Sequence, residues 1–570
     1  MDELRWGVMV SGTSLPRWQA EVVDALLAVE GARLVVVVRD AAPAAPRPSA
    51  GELWSQGRLA WTLFNRAAAR RSVALRTVDC SDRFAGVPQV DVVVRAEGHW
   101  QEFPDDALGD VAAQRPDMLL RLGFGMVRGA VLDVAPLGIW SFHHDDERVV
   151  RGGPPCFWEL AHGDPVSGVL LQRLTDRLDG GAPLARAAFA TVPQSYRRNR
   201  DQSYLGAAGL PAQVARRVLA DGPQVVEVAP STSTAPLYRP PGWVALAKAL
   251  VRMGAANVGR QADGIFRGDR WNVGVLDRPI ASLLDDPDVS SVRWLPRLPE
   301  KERYVADPAG VMVGDDLLML VEDYDHAGNH GVVSAIRWSA PAGSGAAPVS
   351  APTEVVRFEH HASYPAVVEV AGEGEADGLW CLPENAGSGE VRAYRFDPTS
   401  LQLGRPDRPG DTLVLVAGLG VLDPTLVRWD GRWWLFGTDR DRGSNTSLRA
   451  WYAERFEGPW HPHACDPLVV DVNGARGAGT PFVHEGVLYR PVQRCSPRYG
   501  SAVGIFRVDR LDPDGYAQTE VAVISPDPDG PFPDGLHTIS AVGGVTLVDG
   551  NVRRLSLPVV KRELRARFRR

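Results

Sequence analysis

Residues 421–438 read VLDPTLVRWDGRWWLFGT: an Asp-Pro opening, an apolar segment, a turn at Asp430-Gly431 and a second apolar segment. The pattern recurs. VMVGDDLLMLVE at 311–322 follows Ala306-Asp307-Pro308, and FVHEGVLYRPVQ at 482–493 follows Gly479-Thr480-Pro481. Another unit opens at Ser363-Tyr364-Pro365, and a less regular one near Leu536-His537-Thr538. Pro308, Pro365, Pro424 and Pro481 are spaced by 57, 59 and 57 residues, and His537 follows 56 residues later. A period near 57, several short strands per unit and almost no helical signal fit one propeller blade per unit. Residues 266–570 are therefore expected to form an all-β five-bladed propeller.

Upstream the pattern changes. Apolar runs at Trp6–Ser11, Arg33–Val38, Val90–Val94, Met118–Leu122, Ile139–Phe142 and Gly168–Arg173 alternate with helical stretches such as Trp18–Val29. Such alternation predicts an open, Rossmann-like α/β sheet that binds ligands at the carboxyl ends of its strands. No GxGxxG follows the first strand, so a dinucleotide is not indicated. Ala41–Ala50 reads as a Pro/Ala-rich surface loop. Gly222–Gly242, rich in Pro, Ser and Thr, reads as a linker, and Trp243–Arg260 as a helix between the two halves. The organisation is multidomain: 1–221, a linker and helix at 222–265, and 266–570.

The bulk numbers exclude several classes. A chain of 570 residues is too long for one core. Its 45% hydrophobic and 23% charged residues are ordinary for a globular protein, with no run long enough to span a bilayer. Net charge is −8, with strongly basic sequence only at Lys561–Arg570, so no nucleic acid partner is expected. Five unpaired-looking cysteines and a start without a basic, apolar leader point to a reduced, cytoplasmic setting.

The informative stretch of the first domain runs from Pro116 to Leu184, through PDMLLRLGFGMV, PLGIWSFHHDDERVVRGGPPCFWELAHGD and SGVLLQRLTDRLDGGAPL. It resembles the formyltransferase fold of methionyl-tRNA and sugar N-formyltransferases. His143 fills the strand-end position, Arg151-Gly152 and Pro155 the loop pattern, and Leu178-Asp179-Gly180-Gly181 the closing motif. The resemblance implies formyl transfer from 10-formyltetrahydrofolate to a small amine, such as an amino sugar. His143 would take the amine proton or stabilise the oxyanion, and Asp179 would fix its tautomer. Leu122, Gly123, Phe124 and Gly125, with Arg151 and Gly152, would bind the cofactor. The family has Asn where Ser141 stands, and losing one oxyanion donor typically costs about 2.7–4 kcal/mol. Asp145, Asp146 and Glu147 are candidates either to attract a cationic amine or to form a solvated turn. A metal at His143 and His144 is disfavoured, because adjacent strand residues face opposite sides.

The openings YVADP, HHASYP, LDPTL, GTPF and DGLHT resemble the N-terminal propeller of plant glucosamine inositolphosphorylceramide transferases. More distantly they resemble five-bladed glycosidases of the arabinanase and xylosidase kind, whose funnel holds an Asp base, a pKa-tuning Asp and a Glu acid. That implies a funnel of Asp307, Asp423, Glu322, Glu384 and His537. Its expected role is to bind the acceptor; the alternative is a carbohydrate-binding or glycosidase/glycosyltransferase-like propeller beside a degenerate formyltransferase domain. Tyr364 departs from the carboxylate pattern. Trp433, Trp434, Trp451 and Tyr452 suit either sugar stacking or the core.

Overall fold

The computed structural model describes all residues except 44–47, 178–179, 299–302, 340–348 and 556–570. Asp179, Leu178 and the basic tail therefore lie outside the described residues. The chain divides into two compact units, Met1–Asn257 and Val258–Arg570.

The first unit is built on a seven-stranded sheet. Its strand order is Ala182–Ala190, Val166–Arg173, Ile139–His143, Met118–Arg121, Leu4–Val10, Ala32–Asp40 and Gln89–Val92. The last five of these run parallel, and the first two are antiparallel additions. Val35–Val38 are all buried, as an unbroken β-branched run must be in a strand covered on both faces. The helix Arg17–Leu27 buries Trp18, Val22, Val23 and Leu26, one stripe at helical spacing.

The expected linker is largely part of this unit. Leu237–Tyr238 pairs with Arg151–Gly152, the Ser231 N–H donates to the Gly181 carbonyl, and the Ser233 hydroxyl donates to the Glu147 carbonyl. The helix runs over Trp243–Phe266, and Leu246, Ala249 and Met253 pack on Trp61, Phe157 and Tyr196. Composition suggested a linker of extended character, and hydrogen bonds and apolar anchors hold residues 222–257 within the first unit.

Among the described residues the second unit contains five antiparallel sheets. The first joins Arg267–Leu276 and Arg293–Trp294 to Val545–Leu555 and Ile539–Val542. The others are led by Arg303–Val313, Ser363–Val370, Val421–Trp429 and Phe482–His484. The fifth sequence repeat looked irregular because its sheet takes strands from both ends of the unit.

Three leading strands share one irregularity. Pairing breaks between Ala306 and Ala309, between Ser363 and Ala366, and between Leu422 and Thr425. Asp307, Tyr364 and Asp423 sit in those bulges with φ of +52°, +41° and +48°. Each precedes a proline, which bars its right-handed helical region. Left-handed backbone at a non-glycine residue is strained, and strain of this kind concentrates at functional sites. In the next repeat Gly479, two residues before Pro481, has φ of +122°.

A Cβ on Gly479 would lie 1.7 Å from the Ile539 carbonyl oxygen, whereas one on Gly410, at φ +79°, meets nothing within 4 Å. Gly479→Ala is expected to lower stability by more than about 3 kcal/mol and Gly410→Ala by about 1 kcal/mol. Urea denaturation of the two variants checks the contrast; equal small losses would contradict the packing described.

Candidate functional site

Three leading strands carry a bulge residue near their start, and hydrogen bonds tie these residues to neighbouring sheets. Asp307 is buried: its Oδ1 accepts the Thr538 hydroxyl at 2.9 Å, and its Oδ2 accepts the Tyr364 N–H at 3.3 Å. His537 Nε2 is 3.4 Å from Asp307 Oδ1, and its Nδ1 is 2.5 Å from Asp549 Oδ2. Asp549 Oδ1 also accepts the N–H groups of His537 and Thr538, and its Oδ2 accepts that of Asp307. The result is a buried cluster in which the His537 ring lies between two carboxylates.

Asp423 has different company. Its carboxylate accepts from Arg476 Nε at 2.6 Å and from Gln493 Nε2 at 2.9 Å, while its N–H donates to Glu384 Oε2 at 2.9 Å. Arg476 also lies over the Tyr499 ring. A buried carboxylate is tolerated where charged and amide donors satisfy its oxygens, as here.

Glu322 and Glu384 occupy equivalent places. Ala306 pairs with Glu322 and Ser363 with Glu384, so each glutamate faces the residue just before a bulge. Thr438, opposite Leu422, is the counterpart in the next sheet. Burial, reinforced by neighbouring carboxylates, pushes Glu322 well above the usual carboxylate range. Glu384 is raised by burial and Asp423, with Arg476 opposing. His361 Nδ1 accepts the Gly331 N–H, which leaves Nε2–H to face Glu322 at 3.4 Å. Asp307 is pushed up to about 6, chiefly by burial. His537 is raised because Asp549 and Asp307 outweigh the burial that works against its charged form.

All five expected funnel residues are buried here, electrostatically in touch with one another. Asp549, Arg476, Gln493 and His361 were missed. A polar residue closing the second apolar segment of each repeat (Glu322, Glu384, Thr438, Gln493, Asp549) was the available signal. Tyr364 proves to be a crossing strut: its hydroxyl accepts the Gly479 N–H at 2.6 Å and meets Thr425 Oγ1. Trp433, Trp434 and Trp451 are core residues. Asp307, His537 and Asp549 present ligand atoms within 4.8 Å of one another, each ring nitrogen of His537 facing one of the carboxylates.

In the first unit, His143 is half-buried and its Nε2 lies 3.2 Å from the Val150 carbonyl, which makes Nε2 the protonated nitrogen and Nδ1 the free base. Ser141 is buried, and its hydroxyl accepts from Arg121 at 2.8 and 3.1 Å. The guanidinium fills space that the shorter serine leaves. Arg121 also donates to the Phe124 and Gly125 carbonyls. Gln19 donates to the Leu122 carbonyl, and Gln101 accepts the Gly125 N–H. The backbone groups expected to read a folate are thus engaged by the chain itself. A Cβ on Gly123 would strike the backbone of Val10 and Ser11, and one on Gly152 the Tyr238 carbonyl, so both glycines answer to internal packing. Arg151 lies on the short strand that pairs with Leu237–Tyr238.

The acidic run after His143 is neither a solvated turn nor an amine trap. Glu147 is buried in a two-pronged pair with Arg186, Asp145 accepts the Cys156 N–H, and Asp146 pairs with Arg148. His144 is sealed among Trp18, Phe142 and Tyr204, and burial lowers it to about 3. All five cysteines are buried and free. Among the described residues no helix is long and apolar enough to cross a membrane.

Residues 297–529 match the family model described as glucosamine inositolphosphorylceramide transferase 1, N-terminal. The rice (japonica) protein of that name is 32% identical over 170 residues, which cover 28% of this chain and 21% of that protein. The Arabidopsis thaliana protein is 27% identical over 225 residues, covering 38% and 27%. The match thus spans about a fifth to a quarter of these curated relatives' length. Methionyl-tRNA formyltransferase of Borrelia turicatae is 29% identical over 85 residues, covering 15% of this chain and 28% of that one.

Asp307 has a folded pKa near 6 against an ordinary value of about 3.9, so the folded state binds the extra proton between those values. This stabilising contribution is intact at the acid end and is lost as pH rises through about 6. The raised His537 acts in the same sense, its contribution present below about 6.5 and lost above. Thermal unfolding of the second unit should therefore move to lower temperature between pH 4.5 and 8. Asp307→Asn should flatten the acid half of that decline; an unchanged slope would contradict the assignment.

Proposed function

We propose that the second unit is a closed five-bladed propeller that binds a glycoside over its converging carboxylates, and that the protein acts in glycosyl chemistry. The observation that carries this reading is the contrast among buried acids at one place. Arg476 and Gln493 both donate to Asp423, while among the described residues Glu322 faces His361 and is raised well above the usual carboxylate range by burial and by neighbouring carboxylates. Sugar-bond chemistry needs that separation: an acid to protonate the departing oxygen and a carboxylate to face the positive anomeric carbon. Glu322 fills the first role and Asp307, ionised above about pH 6, the second. Asp423 and Arg476 set the local field. The transferase family matched by residues 297–529 supports this direction, and its name suggests a glucosamine-type sugar.

Formyl transfer is the second reading, favoured by the free Nδ1 of His143 at a strand end. It requires 10-formyltetrahydrofolate to displace Gln19, Gln101 and Arg121 from the backbone they engage.

Calorimetry with glucosamine, N-acetylglucosamine and their methyl glycosides tests the first reading. Binding at millimolar affinity or tighter is expected, weakened about tenfold or more in Asp307→Asn with the fold retained. No binding by any of these sugars would overturn it. Tight binding of a stable formylfolate analogue, lost in His143→Ala, would move the assignment to the second reading.

A further inference from the structure

We propose that Tyr499 is the platform on which a sugar ring lies in the second unit, and that it selects cyclic sugars through their C–H face. The inference rests on the glycoside reading and adds a contact residue to it. The tryptophans that sequence favoured for stacking are taken, since Trp433, Trp434 and Trp451 are buried in the core. Among the rings at the acidic cluster, Tyr364 is 3% exposed and Trp271 7%, whereas Tyr499 is 43% exposed. A large ring open to solvent beside buried acids is placed to meet a ligand.

Tyr499 joins both halves of the cluster. The Arg476 guanidinium carbon lies 4.9 Å from the centroid of its ring. That guanidinium holds Asp423 and comes within 4.0 Å of Glu384. The ring also meets the His537 imidazole edge to face, at 5.4 Å between centroids and 79° between planes. His537 in turn reaches Asp307 and Asp549. Tyr499 therefore touches the partner of Asp423 and the partner of Asp307. Burial raises its phenol well above the usual range, with Arg476 opposing. Protein surrounds the residue on most sides, and solvent reaches it from the rest.

The ring is held before any ligand arrives. It belongs to the segment joining Val487–Arg494 to Ala502–Asp512, the middle strands of their sheet. Before it, the Ser496 N–H donates to Asn473 Oδ1 at 3.1 Å; after it, the Gly500 carbonyl accepts the Leu536 N–H at 2.9 Å. Gly500 has φ of +63°, and a Cβ there would come within 2.9 Å of His537 Cβ and of the Trp271 ring. Arg476 is itself fixed by Asp423 and, at 3.0 Å, by Asn445. A ring anchored in this way loses little freedom on binding.

Its neighbours also decide which groups suit the open side. Arg476 occupies one face of the ring, and its charge opposes a second cation on the other. Neutral C–H groups meet no such opposition. A pyranose presents several C–H bonds on one side, with hydroxyl groups around its rim to reach the carboxylates. An open-chain polyol has no such side.

The test measures calorimetric affinity of the full chain for methyl glucoside, methyl glucosaminide and the open-chain polyol glucitol, then repeats it with variants of Tyr499. The unmodified protein should bind both glycosides about tenfold or more tightly than glucitol. Tyr499→Phe keeps the ring and should stay within about threefold of that affinity. Tyr499→Ala should lose about tenfold or more for both glycosides alike, down to the level of glucitol, with thermal unfolding unchanged. Tyr499→Leu, which keeps apolar bulk without an aromatic face, should show the same loss. Affinity left intact in Tyr499→Ala and Tyr499→Leu, a loss confined to the amine-bearing sugar, an equal loss in Tyr499→Phe, or glucitol bound as tightly as the glycosides would each overturn the platform while the glycoside reading stands. An unmodified protein that binds neither glycoside would remove both.

Discussion

Asp549 is the residue on which the second unit turns. Its carboxylate, fully buried on a strand near the end of the described chain, accepts the backbone N–H groups of His537 and Thr538 and that of Asp307 at the start of the next sheet. A buried carboxylate is costly unless hydrogen-bonded on all sides, and here backbone donors from two sheets satisfy it. The same device recurs where Glu384 accepts the Asp423 N–H from the following sheet. Acids from one sheet thereby pin the strained bulge of the next. Position and chemistry have one cause, because the bonds that fix the bulges also aim Asp307 and Asp423 into the common centre.

That arrangement accounts for the unequal states of its acids. Burial raises Asp307, Glu322 and Glu384, and the partner each acid meets differs. Asp423 has a guanidinium, Asp307 a histidine shared with Asp549, and Glu322 a neutral imidazole. The first unit solves a comparable problem differently. There a half-buried Arg121 donates to Ser141 and two backbone carbonyls, so the chain's own groups occupy the places where a ligand was expected.

The repeats were legible because apolar pairs and Asp-Pro or Tyr-Pro openings return at a nearly constant interval, and the five sheets follow those intervals. The parallel strands of the first unit were legible for the same reason: runs such as Val35–Val38 are continuous. Partnership was not legible. Nothing local in the sequence says that Tyr364 spans to Gly479, that Arg476 reaches back to Asp423, or that Glu147 turns inward to Arg186. Residues 222–257 misled for a related reason. Pro- and Ser-rich composition describes a chain's freedom in isolation, whereas the Ser231, Ser233 and Leu237–Tyr238 bonds depend on a surface made elsewhere in the sequence.

The central claim is that a sugar ring sits on the carboxylates that the cross-sheet bonds hold together. A crystal structure of the protein soaked with methyl glucosaminide tests it most directly. The account predicts electron density for the sugar within hydrogen-bonding distance of Asp307 and Glu322, with the Asp549–His537 contact unchanged. Sugar density only at the first unit, or none at the carboxylates under saturating ligand, would contradict it.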